Sequence, residues 1–328
     1  MRKLAALFLA SLVVAAPAAR GQIAPVERPG PAPRAAPGRA EKPLRLGLVA
    51  SPRREAELAR IDPFRRHVAA TLGRDVTVST FEGEADLIGA LAAGRLDYAP
   101  LTAIGFATAV RLCDCVEPLA APRDEDRAPG WHAIVLARKG TGLERAEDLA
   151  GRRLAVAPET AVGTRRLPLL LLARAGLDGD RAPVLVETAG PEAALAALAE
   201  GRVEAAVVWS SLAGPREDGW SRGTLADFVT RGAGRAEDFT LVWSSPLLPY
   251  GPHTVRSALD EATKRQLREM LVQLDIDPQI YEAIERTHAG GFVRVGTPSY
   301  RPFVDLLTPR DAPDDRPPPP SDGSTPRG

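Results

Sequence analysis

The sequence is poor in the residues that usually announce chemistry. Two cysteines and four histidines are scattered through 328 residues. The histidines, His67, His132, His253 and His288, stand apart with no ligand spacing, so each reads as a surface or core residue and no metal site is expected. Lysine is scarce: Lys139 and Lys264 alone fall in the part that should fold, neither in a Schiff-base setting, and no Ser-His-Asp grouping accompanies them. The chain is therefore not read as an enzyme, and no cofactor is expected. Net charge is missing too. The 42 Lys plus Arg balance 42 Asp plus Glu, which leaves no field of the kind that draws a protein to nucleic acid or an acidic membrane surface. Nucleic acid is thus not an expected partner.

Long apolar runs are lacking except at the start. In "MRKLAALFLASLVVAAPAARG", Arg2 and Lys3 precede an apolar run from Leu4 to Ala16 and the small-residue pattern Ala16-Pro17-Ala18. That is the layout of a secretory signal peptide, and the run falls short of the ~20 residues a spanning helix needs. No cysteine lies near the cleavage site, which excludes a lipid anchor there. The expected plan is a signal peptide at 1–19, a Pro/Ala-rich linker at 20–43 and a disordered tail at 310–328, because neither flank has the apolar content to bury a core. The mature protein should be periplasmic or secreted. Export places Cys113 and Cys115 of "RLCDCVEP" in an oxidising compartment, where they form either a tight disulfide ring or two reduced thiols.

What the chain does have is a repeat. "VTVSTFEGEADLIGALAAGRLDYAPLTA" (76–103) and "VLVETAGPEAALAALAEGRVEAAVVWSS" (184–211) each read as a strand, a polar turn, an Ala/Leu helix, Gly-Arg and another strand. The strands before them, "RLGLVASP" at 45–52 and "RLAVAPET" at 153–160, match as well. Two βαβαβ halves imply an α/β protein of two lobes built on parallel sheets with right-handed crossovers, with ligands bound outside the carboxyl ends of the strands. The remaining segment, with proline-broken strands at 239–259, amphipathic helices at 260–274 and 277–286 and a strand and helix at 290–307, returns the chain to the first lobe. The expected lobes are 44–137 plus 246–309 and 138–245, with linkers near 137–140 and 240–246.

Two strand ends draw attention as a site. After "RLAVAPET", Thr160 or Thr164 can cap a helix beginning near Gly163, or the helix starts only at Pro168 and leaves 159–167 as a longer loop. In either case free N–H groups around Ala161, Val162, Gly163 and Thr164 form a cradle for an anion or a carbonyl oxygen, with Arg165 or Arg166 in reach. An ordinary N-cap beside two solvated arginines is the plainer reading. On the other lobe Thr102 and Ala103 open the helix "AIGFATAV", and Ser51 ends the first strand. Trp209 and Ser210 offer an aromatic face and a hydroxyl to a solute, although Trp209 reads equally well as core.

In order along residues 44–307, the segments "YAPLTAIGFA", "DLAGRRLAVA", "ETAVGT", "VWSSPLLPYGPHTVRSAL" and "FVRVGTPSYRPFVDLL" resemble the exported substrate-binding proteins of phosphate, phosphite and phosphonate ABC transporters. The resemblance implies the transferrin-like, type II periplasmic-binding fold with each lobe a mixed sheet flanked by helices, a small polar or anionic solute in the cleft between the lobes, an ABC permease as partner and a monomer. It also leaves a sensing subunit for a membrane signalling kinase, or an enzyme on the same fold, as alternatives. The chain departs from the family pattern where the ligand would bind. Ala103 stands where the family has tyrosine, Thr160-Ala161-Val162 where it has Ser-Thr-Ser, Pro191-Glu192 where it often has His-Asp, and Trp209 where it has an acid.

Overall fold

The computed structural model describes residues 42–50 and 54–308; the expected signal peptide and tail, most of the linker, and Ser51 lie outside the described residues. The repeat folds as two parallel three-stranded cores. β1 (Leu44–Val49), α1 (Arg54–Leu72), β2 (Val76–Phe81), α2 (Glu84–Ala92) and β3 (Tyr98–Pro100) make the first, with β1 between β2 and β3. After α3 (Ala103–Cys113), β4 (Val116–Pro122) and β5 (Gly130–Arg138), the second follows as β6 (Arg153–Val156), α4 (Leu167–Arg174), β7 (Val184–Glu187), α5 (Pro191–Ala199) and β8 (Ala205–Ser210), with β6 between β7 and β8.

The duplication extends to single contacts. Gly94 and Gly201 each leave the Ala/Leu helix with positive φ, 69° and 77°, a turn that glycine adopts without steric penalty. A Cβ at either would strike a guanidinium, that of Arg256 over Gly94 and that of Arg138 over Gly201. Each arginine ends the strand that runs antiparallel to the third repeat strand. That strand is β11 (His253–Arg256) beside β3 in the first sheet, and β5 beside β8 in the second.

These added strands move the lobe boundaries. The sequence reading puts the crossings near 137–140 and 240–246. The structure keeps the whole of β5, together with β9 (Phe239–Ser244) and β10 (Leu248–Pro249), in the second sheet. The chain therefore passes between sheets within 123–129 and 250–252. The physical reason lies in β5 itself. Ile134, Val135, Leu136 and Ala137 are all buried, so both faces of the strand are covered, which marks a central strand and not a linker. The first sheet runs in the order β12-β4-β11-β3-β1-β2, with β12 (Phe292–Arg294) at its edge.

α6 (Thr224–Thr230) packs on β8 of the second sheet, and helices cover both faces of the first sheet. On one side Phe64, Val68, Leu267 and Leu271 from α1 and α7 (Glu261–Val272) pack on Leu44, Leu46 and Val255. On the other, Leu87, Leu91, Phe106 and Tyr300 form a second layer that reaches Leu167 and Leu248 of the other half. Arg174 of α4 joins Asp305 of α9 (Arg301–Leu306) at 2.5 Å. α8 (Pro278–Ile284) packs on α1 and delivers the segment 285–288 to the cleft. Of the two readings for the cysteines, the structure shows the disulfide: Cys113 and Cys115 are joined around Asp114, which ends α3 in the left-handed conformation.

Candidate functional site

The loop after β6 takes a form that the sequence does not announce. A π-helical turn, Val162–Arg166, runs directly into α4, and its N-cap is Ala161, which offers no side-chain acceptor. Thr160 and Thr164, the expected caps, do not serve. The first helical bond runs from the Arg166 N–H to the Ala161 carbonyl at 3.1 Å. The amides of Val162, Gly163, Thr164 and Arg165 therefore precede any helical acceptor and remain available. Pro168 comes after the bonded amides of Arg166 and Leu167, so it leaves the ladder one donor short where the π-turn gives way to α4.

The first three, those of Val162, Gly163 and Thr164, border a cavity of about 350 Å³ with an aromatic side made by Trp131, Trp209 and Tyr250 and with His288 alongside. Sheet register explains the two indoles. Trp209 of β8 lies opposite Ala133 of β5, and Trp131 is two residues from Ala133 on the same strand, so both indoles project from one face of the sheet. Gly163 lets the loop close on them, because a Cβ there would lie 2.5 Å from the Trp131 ring.

The polar side of the cavity is built around Asp124, only 3% exposed. Its carboxylate accepts a hydrogen bond from the Tyr250 hydroxyl and lies 3.5 Å from Arg222 Nε. Burial, reinforced by the bond to Asp124, raises the Tyr250 pKa and keeps the phenol a donor. The His288 ring stacks at a tilt on Tyr250, with centroids 4.0 Å apart. Glu285 holds it in place, accepting from the His288 N–H at 3.1 Å and approaching its Nδ1 at 3.3 Å. Burial works against ionisation of Glu285, but the bonds from His288 and the Thr287 amide outweigh it and hold the carboxyl below the usual range.

A second cavity, about 510 Å³, shares Thr287 and His288 with the first and extends over the carboxyl ends of β1 and β3. Thr102 and Ala103 line it, and Thr102 caps α3 by accepting the Gly105 N–H at 2.9 Å. His253 forms part of its floor, bonded through Nδ1 to the Tyr98 hydroxyl. Burial lowers the His253 pKa to about 4 and raises that of Tyr98, so the phenol donates to a neutral imidazole.

The residues expected from the sequence are thus divided. Ala161, Val162, Gly163, Thr164 and Trp209 meet at the first cavity, and Thr102 and Ala103 at the second. Thr160 is exposed and lines neither. Arg165 turns back to the Ala157 carbonyl, at 3.1 Å, and to the Glu187 carboxylate. Ser210 is fully buried and accepts the Leu212 N–H at 3.0 Å. Sequence reasoning missed Asp124, Trp131, Arg222, Tyr250, Thr287 and His288. Of these, only Tyr250 fell within a segment that had drawn attention, "LLPYGP".

Comparison with known proteins fits this geometry. A family model described as the periplasmic substrate-binding protein of phosphonate ABC transporters matches residues 46–300. Among solved structures, XAC2383 from Xanthomonas citri bound to ATP is 18% identical with a TM-score of 0.52, covering 80% of this chain and 94% of that one. The same protein bound to chloride gives 17% identity and 0.50, with coverages of 80% and 95%. Transferrin 1 from Manduca sexta gives 15% identity and 0.52, covering 82% of this chain and 46% of that one. At these identities the likeness is one of fold, that of the type II periplasmic binding proteins. Because the family match takes in both sheets and the cleft residues between them, the chain belongs to the periplasmic substrate-binding proteins of phosphonate ABC transporters.

Proposed function

We propose that the first cavity is the solute site, and that it takes a small organic solute with one anionic or strongly polar head and a flat or apolar body. The observation that carries this reading is the pairing of free amides at 162–164 with the aromatic walls of Trp131, Trp209 and Tyr250 in a space of about 350 Å³. Amides at the start of a helix attract an anion through their dipoles and unsatisfied N–H groups. The rings favour a body that a bare phosphate or methylphosphonate does not possess. The volume lies at the small end for ligand pockets. The protein acts as an exported monomer that delivers this solute to an ABC permease without chemical turnover, its signal peptide removed after Ala18 or Ala19. Calorimetry of the mature protein tests the reading. Phenylphosphonate should bind more tightly than methylphosphonate or inorganic phosphate, and Trp209→Ala should erase the preference. Submicromolar affinity for phosphate, phosphite or methylphosphonate that Trp209→Ala leaves unchanged would overturn it.

A further inference from the structure

The start of α3, at the carboxyl end of β3 in the first sheet, holds a carboxylate of the protein itself. Glu84, the first residue of α2, accepts the Thr102 N–H on one oxygen at 2.6 Å and the Thr102 hydroxyl on the other at 2.8 Å. Beside it, buried Gly105 donates its N–H to the same hydroxyl. A Cβ at Gly105 would lie 2.3 Å from Glu84 Oε1, so the seat exists only because that residue has no side chain. The second cavity opens onto this arrangement, with Glu285 as a further carboxylate on its wall.

The internal repeat supplies a comparison within the chain. One repeat later, 107 residues on, Pro191 replaces Glu84 and Trp209 replaces Thr102. Neither the acid nor its hydroxyl partner recurs. Among the described residues no side-chain oxygen bonds the amides of Val162 to Arg165, and the first three of these border the first cavity. The amides after β6 therefore bind no protein carboxylate among the described residues, whereas the start of α3 after β3 carries one, and the repeat does not impose it, since the same position after β8 has none.

Resting on the reading of the cleft proposed above, we infer that Glu84 is a specificity-determining residue. Its carboxylate fills the oxyanion seat of the first lobe and makes the cleft refuse solutes that press a doubly charged phosphoryl group against both lobes. A second anion brought to this seat meets a like charge and finds the Thr102 amide and hydroxyl taken. A solute with a single anionic end, bound on the second lobe, meets neither obstacle.

The experiment is calorimetric titration of the mature protein and of Glu84→Ala with inorganic phosphate and with methylphosphonate, alongside circular dichroism to show that the variant is folded. Vacating the seat should tighten both anions by about tenfold or more, since a charge-assisted hydrogen bond is restored and a like charge removed. A folded Glu84→Ala protein with unchanged anion affinity overturns the inference and reduces Glu84 to a long-range helix cap. If Glu84→Ala does not fold, Glu84→Gln removes the charge and keeps the size, and unchanged affinity there overturns it equally. Adding Gly163→Val separates the two readings. A gain that disappears in the double variant supports both, whereas a gain that persists in full supports the role of Glu84 and removes the second-lobe loop from the site.

Discussion

A methyl group placed on Gly163 would stand 2.5 Å from Cη2 of Trp131, 3.2 Å from Cζ2 and 3.4 Å from Cζ3. Carbon atoms in good contact sit ~3.5–4.0 Å apart, so the indole must withdraw by about 1 Å. Gly163 does not have positive φ, so alanine brings no backbone strain, and the whole cost of Gly163→Ala is this collision. Pairing with Leu248 fixes the backbone of residue 131, so the ring can retreat only by turning about its side-chain bonds toward the cavity it borders. Overpacking of this kind costs about 1–3 kcal/mol, set against ~0.4–1 kcal/mol gained by stiffening the unfolded chain. Gly163→Ala should therefore lower stability by about 1–2 kcal/mol in the wild-type background. In a Trp131→Ala background the obstacle is absent, and the same substitution should be neutral or slightly stabilising. Urea unfolding followed by far-UV circular dichroism, which does not depend on the deleted indole, measures all four corners of the cycle. An equal cost of Gly163→Ala in both backgrounds would show that the loop and the ring are not fitted together as described.

Other consequences are open to measurement. His253 has its folded pKa lowered by burial from 6.5 to about 4. The unfolded chain therefore takes up a proton that the folded one does not, and stability should fall by up to about 3 kcal/mol as pH drops from 6.5 to 4; His253→Asn should flatten that slope in urea midpoints taken across this range. Tyr250→Phe strips the buried Asp124 carboxylate of its hydroxyl donor and should cost about 1–3 kcal/mol in the same unfolding assay, an unchanged midpoint being the contrary result. Gly94→Ala and Gly201→Ala force a side chain into positive φ beneath Arg256 and Arg138. Each should cost about 1 kcal/mol or more, and a marked inequality would argue against equivalent packing in the two halves. N-terminal sequencing of the exported protein should begin at Ala19 or Arg20, and recovery of intact Met1 from the membrane fraction would refute cleavage.

The paired halves were legible because βαβαβ units impose their periodicities locally: apolar alternation in 76–81 and 184–187, Ala/Leu helices, and a glycine that must turn with positive φ. The antiparallel strands were harder to place. β5 and β11 lie outside the repeated segments and take their roles from partners distant in sequence, so nothing local assigned 130–138 to the second sheet. The site followed the same division. Amides at the start of α4 could be foreseen from the strand-to-helix transition, but not that an alanine would cap them or that Arg165 would turn back to Glu187. Asp124 and His288 stand far apart in the sequence, and their neighbours exist only after the sheets are assembled. Glu84 and Thr102 likewise read as an ordinary helix start and an ordinary cap until the fold sets one on the other.

The exchange of antiparallel strands between the two halves bears on how the chain folds. Pro100 pairs with His253, and Pro122 pairs with Phe292, so the first sheet closes only when nearly all of the protein is available. Until then β3 and β4 carry open edges, the kind of surface that recruits a neighbouring chain. Contacts of such long sequence separation make for slow folding and a prolonged aggregation-prone interval. The second sheet lacks this dependence, since β5 through β10 are contiguous in sequence and can assemble first. A chain halted at residue 250 should therefore present a finished second half attached to an unclosed first one, and should self-associate more strongly than the full-length protein.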